Sequence, residues 1–262
     1  MKKINYLFLL CIVFLLFNCG DDEGSEGSST EVVGEVGILT NLKTTNLDDN
    51  NFPWYDIDGL QAENTDMFKK LKSWNVEDNG LIPVKTNGYQ LADQALDVIE
   101  QQVGKSLFDR TSIANTPDAE ITKGLIVSQG TALGAFGSTN DPNACGHVSA
   151  GIGTTSYPSY GLFTDTDEDG EILVIIEDGW YDATGTIDTV LYVHIGAPTC
   201  DNEIDLDLVI HEFGHALGMG AHFEGFGLGP AVDENFWNVL HTIYNNRAGT
   251  LEENIVINQI EF

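Results

Sequence analysis

The chain has 262 residues, 42% of them apolar, which is enough to bury a sizeable core in one domain, and carries 11 basic against 41 acidic residues for a net charge of −30. That balance argues against nucleic-acid partners and against docking on an anionic bilayer through a basic patch, because both need clustered cations. No internal repeat is evident.

At the N-terminus, Lys2 and Lys3 precede an apolar run from Tyr6 to Phe17. The run is short for a bilayer span and has the length of a signal-peptide core. Leu16-Phe17-Asn18-Cys19-Gly20 looks like a bacterial lipobox. By that resemblance residues 1–18 are removed and Cys19 carries the lipid, each buried methylene adding about 0.8 kcal/mol to anchoring. The alternative is an ordinary cleaved signal peptide with Cys19 incidental. Asp21-Asp22-Glu23 resembles the acidic signals of lipoproteins displayed on Gram-negative-type cells. An outer-membrane, surface location is therefore expected, with the lipid as the sole membrane contact. With Lys2 and Lys3 gone, nine basic residues face 41 acidic ones, so the mature chain is near −32.

Residues 19–37 read as the lipidated cysteine and a flexible acidic Gly/Ser tether, too polar to bury a core. Residues 38–75 form an N-terminal extension. Its Phe52-Pro53-Trp54-Tyr55-Asp56 stretch reads as packed structure, with an inhibitory segment as the alternative. Residues 76–262 are the domain proper.

Ile82-Pro83-Val84 can form a first short strand. Tyr89 to Val103 has helical spacing through Leu91, Ala95, Val98 and Ile99, and Gly104 closes it. Gly124 to Ser128, Ile172 to Ile176 and Val190 to His194 read as strands. Between them, Asp165-Thr166-Asp167-Glu168-Asp169-Gly170 matches the first half of an EF-hand loop. Position twelve is Ile176 rather than a glutamate, so an acidic turn between strands is favoured over a calcium site on Asp165, Asp167 and Asp169. Cys145 and Cys200 remain after export as an even pair in an oxidising compartment. A disulfide between them would add about 2–4 kcal/mol; two free buried thiols are the alternative. His147, in a Gly/Ser-rich turn, and His194, ending a strand, read as structural or solvent-exposed rather than as ligands.

Residues 211–222 read His-Glu-Phe-Gly-His-Ala-Leu-Gly-Met-Gly-Ala-His. A helix places His211 and His215 one turn apart on one face, where both can grip one metal ion. Glu212 can reach a water beside that metal. Asp201 or Asn202 is a candidate N-cap, and Glu203, Asp205 and Asp207 suit the first turns. Leu206, Val209, Ile210, Phe213 and Leu217 form the core stripe. Gly218 can end the helix in a left-handed conformation, letting His222 return to the metal.

This motif resembles that of the metzincin clan of metalloendopeptidases, H-E-x-x-H-x-x-G-x-x-H followed by a Met-turn. His211, Glu212, His215 and Gly218 match it in place. Ala221 stands where the third histidine is expected, and His222 follows, with Glu224 and Asp233 as rival ligands. No methionine follows Met219. The segment 238–242 reads as a Met-turn carrying Leu240, with His241 and Tyr244 near the site, or as a helix through Phe236, Val239, Leu240 and Ile243 capped by Asp233. The helix is favoured.

The resemblance implies an α+β, zincin-like fold. Its parts are a mixed twisted sheet, a long backing helix, an active-site helix and a small C-terminal subdomain. It further implies zinc on His211, His215 and His222, with Glu212 as general base. The substrate is then a protein or peptide that pairs with an edge strand, for which Ile172–Ile176 is a candidate, and the enzyme is a monomer. A zincin-like surface lipoprotein that binds without catalysing is the alternative.

Overall fold

A computed structural model of the chain describes residues 34–47, 70–129, 145–150, 162–166, 172–176, 180–182, 184–196 and 204–260, with the backbone alone for 162–166 and 172–176. Cys19, the Phe52–Asp56 stretch, Asp167, Asp169 and Cys200 lie outside these residues. Asp165 lies on a strand whose side chains are not described.

The centre is a mixed sheet built from β1 (Ile82–Lys85), β2 (Phe108–Asp109), β3 (Gly124–Gln129), β4 (Gly146–Ser149) and β7 (Val190–Ile195). Its order is β2-β1-β3-β7-β4, parallel except for β4, which runs antiparallel to β7 at one edge. Parallel strands with covered faces read as continuous apolar runs. Accordingly Leu125, Ile126, Val127, Leu191, Val193 and Ile195 are all buried. The remaining two long strands, β5 (Leu162–Thr166) and β6 (Ile172–Ile176), form an antiparallel pair of their own. Ile172–Ile176 is thus a strand, as expected, but not the edge of the main sheet. Among the described residues, its edges are β2 and β4.

Two helices pack beside the sheet. α2 (Gln90–Val103) buries Ala92, Ala95, Leu96, Ile99 and Val103, and Gly104 closes it at φ 77°. α3 (Leu206–Ala216) carries the histidine motif and lies against β4, β7 and α2. Its N-cap is Asp205, whose carboxylate accepts from the Leu208 amide at 2.8 Å. The helix therefore begins beyond Asp201 and Asn202, the caps expected from sequence. Leu206 lies at its margin, half-buried, while Val209, Ile210, Phe213 and Leu217 enter the core.

The N-terminal extension is part of this core. α1 (Glu35–Leu42) runs directly into a π-helical turn, Lys43–Leu47, and buries Ile38, Leu42 and Leu47. It packs against α4 (Glu234–Asn245), the C-terminal helix. Asp233 caps α4 by accepting from the Asn235 amide at 2.6 Å. Residues 238–242 are therefore helical rather than a turn beneath the site. No helix among the described residues is long and apolar enough to cross a membrane.

Candidate metal centre

The end of α3 decides where the site can form. A helix leaves its last carbonyls without backbone partners, and buried ones need donors. Three side chains from separate segments supply them here. Trp74 Nε1 donates to Ala216 O at 2.9 Å, Tyr244 Oη to Leu217 O at 3.1 Å, and Asn46 Nδ2 to Gly218 O at 2.7 Å. Tyr244 is thereby committed to the helix end and does not face the site. Gly218 takes φ 108°, and a Cβ there would lie 2.5 Å from Lys72 O. Only glycine meets both demands. The chain reverses at this point, and four residues later His222 faces α3.

The three histidines converge. His211 Nε2 lies 3.1 Å from His222 Nε2 and 3.2 Å from His215 Nε2; His215 and His222 are also 3.2 Å apart. The other ring nitrogens fix two of the tautomers. His211 Nδ1 donates to Ala231 O at 3.1 Å, and His215 Nδ1 to Met219 O at 2.8 Å. With Nδ1 protonated, the Nε2 atoms of these neutral rings present lone pairs towards one another. Lone pairs held this close repel unless a cation or a shared proton sits among them. Such a trio could hold a metal ion, and the backbone carbonyls behind it are the usual outer partners of ligating histidines. Among the described residues these three are the metal-capable group. Neither rival ligand joins it. Asp233 is spent on its cap, and Glu224 is exposed.

The ring of Phe226 forms a floor beneath the cluster. Its centroid lies 4.5 Å from that of His211, 4.8 Å from His215 and 5.5 Å from His222, and it is fully buried. It is carried between two short strands, β8 (Phe223–Glu224) and β9 (Gly227–Leu228). Sequence reasoning missed it, because Gly225-Phe226-Gly227 has no periodicity to read.

Glu212 lies beside this cluster on α3. It is 1% exposed, and Oε2 finds no hydrogen-bond partner among the described residues. Desolvation pushes its carboxyl up to about 8. Gly146 of β4 makes room for it: a Cβ there would lie 2.5 Å from Glu212 Oε1 and 2.6 Å from its Cδ. The edge strand and the acid are thus in direct contact. Sequence reasoning also missed this strand and placed its neighbour His147 in a turn. His147 instead stacks on His194, ring centroids 4.3 Å apart, and His194 Nε2 lies 3.1 Å from Ser149 Oγ. Neither histidine belongs to the metal-capable group among the described residues. Cys145, next to Gly146, is buried and disulfide-bonded.

Burial lowers the imidazoles of His211, His215 and His222 in the metal-free protein, His211 to about 3. An unfolded histidine takes a proton near 6.5, so this contribution to stability is complete above 6.5 and falls as pH drops towards 3. Glu212 has the opposite sign. Its contribution is complete below 4.5 and is lost as pH rises through 8. The Tm of the metal-free protein is therefore expected to peak between these limits. Glu212→Gln should flatten the alkaline limb between pH 4.5 and 8 in a thermal-melt series. A limb that is equally steep in the variant would show that Glu212 does not cause it.

No known protein family, curated protein or solved structure matches this chain.

Proposed function

We propose that this chain is a zinc-dependent endopeptidase of metzincin-like build, exported as a lipoprotein through Cys19 and acting on protein or peptide substrates. One observation carries the reading. Three histidine Nε2 atoms converge within 3.2 Å beside a buried glutamate whose Oε2 has no hydrogen-bond partner among the described residues. Zinc bound by imidazole at about 2.0–2.1 Å in tetrahedral array separates its nitrogens by about 3.3–3.4 Å. The spacing here falls short of that by only a few tenths of an ångström. Three neutral ligands leave the full positive charge of the ion and an open position, the pattern of a catalytic rather than a closed structural site.

A zinc ion held by His211, His215 and His222 would supply Lewis acidity, acidifying water and polarising a scissile carbonyl. Glu212 does the proton work. The positive charge of an ion held by the neighbouring imidazoles would favour its ionised form, and a desolvated carboxylate is a stronger base than a hydrated one. It accepts the proton of the attacking water and returns it to the leaving amine. Gly146 keeps β4 close against Glu212, so a substrate strand added along β4 would pass beside the base. Cys200 is the proposed partner of the Cys145 disulfide, which would tie β4 to the segment entering α3.

The test is cleavage of an unfolded protein by the full-length chain. Activity should vanish with a chelator and return with zinc. Tight zinc binding at one site without cleavage would instead favour the non-catalytic surface-binding lipoprotein. Absence of zinc binding would remove the basis of both.

A further inference from the structure

The turn that delivers His222 is held by the N-terminal segment as well as by α3, whose Gly214 and His215 carbonyls accept the Met219 and Gly218 amides at 3.1 Å each. Asn46 is 5% exposed, and its whole amide is engaged. Nδ2 donates to Lys72 O and to Gly218 O, each at 2.7 Å, while Oδ1 accepts from the Lys72 amide at 2.9 Å. Its neighbour Thr45 accepts the Gly220 amide at 2.7 Å. Lys72 Nζ closes the arrangement by donating to Asn46 O at 2.6 Å. Both ends of Gly218-Met219-Gly220 are thus fixed from residues 45 and 46, and the carbonyl of Met219 between them orients the His215 ring.

We propose that Asn46 is a positioning residue of the metal centre: by joining Lys72 to Gly218 it sets the turn that aims His215 and brings His222 to the cluster. The proposal rests on the metal-centre reading above. The chemistry requires an amide, since one planar group must offer two donors and an acceptor at once. Aspartate would oppose an oxygen to the carbonyls of Lys72 and Gly218. Serine would leave at least one of these buried groups without a partner. Residues 34–47 are accordingly a strut of the site, although they are remote from the motif in sequence.

The test titrates full-length parent, Asn46→Asp, Asn46→Ser and His222→Ala with cobalt(II) alone. It follows the visible cobalt spectrum, which reports ligand geometry, and the Tm with and without the ion. Both Asn46 variants should bind cobalt about 10–100-fold more weakly, as other outer-sphere changes do. Their spectra should move in the direction of His222→Ala, and the rise in Tm on adding metal should shrink. Asn46→Ser adds no charge and keeps the test readable if the aspartate prevents folding. A parent spectrum and a parent metal-induced rise in either variant, however much apo stability is lost, would overturn the proposal and leave Asn46 a core hydrogen bond. A parent that binds no cobalt is a separate result, read without any variant. It would overturn the metal-centre reading and this proposal with it.

Discussion

Replacing Glu212 with glutamine is expected to cut peptide hydrolysis by about 10²–10⁴-fold, the usual worth of a positioned general base, with metal content unchanged. The substitution isolates the chemistry well. Glutamine has almost the same shape, so the close contact with Gly146 survives and β4 is not displaced. Glu212 is not in the histidine cluster, so no ligand is lost. What disappears is the ability to take a proton. Glutamine removes a buried ionisable group whose Oε2 meets no partner among the described residues, so no hydrogen bond is lost there and the variant should fold about as well as the parent. Loss of activity therefore cannot be blamed on unfolding. The comparison needs kcat/KM on an internally quenched peptide and a metal-to-protein ratio for both proteins. Activity in the variant within about threefold of the parent would sink the assignment of Glu212 as base.

The parts of this molecule that were legible in sequence are those with a period or a special residue. α2 announces itself by apolar spacing and by Gly104, and its observed limits, Gln90–Val103, differ from the expected ones by one residue. His211 and His215 follow from helical geometry alone. His222 could be suspected because the glycine at 218 frees the chain to turn, but its arrival depends on Asn46 and Thr45, far away in sequence. β4 was not legible. Gly146-His147-Val148-Ser149 has too few apolar residues to alternate, and its glycine serves contact with Glu212 rather than a turn. The start of α3 was misplaced for a local reason. Several acidic residues precede it, and only the one that reaches the Leu208 amide acts as cap. The role of residues 38–47 was invisible because their partners, α4 and the turn after α3, lie at the other end of the chain.

Phe226→Ala should be the most damaging apolar substitution near the site, costing about 3–5 kcal/mol of stability and roughly tenfold in metal affinity. The ring is wedged from every side. Phe223 and Phe236 lie with centroids 5.4 Å away, and Gly214 of α3 leaves space that a Cβ would fill at 3.1 Å from Phe226 Cε2. Gly227 closes over the imidazoles next to it, where a Cβ would meet His222 Cγ at 2.7 Å and His211 Cε1 at 2.9 Å. Packing this tight cannot collapse into the space that alanine leaves, so the cavity term persists. The second effect follows from the floor itself. His211 and His215 are each tied at Nδ1, but rotation about the ring axis is checked by contact with the Phe226 face. Without it the three Nε2 atoms need not stay within 3.2 Å, and ordering them falls to the metal. Urea unfolding with and without zinc separates the two effects, because weakened binding reduces the metal-induced gain while a pure cavity does not. Phe226→Leu, which keeps most of the volume, should lose less than half as much stability. If alanine costs under about 1 kcal/mol, or if the gain on adding zinc is undiminished, Phe226 is ordinary core and the histidines hold their own positions.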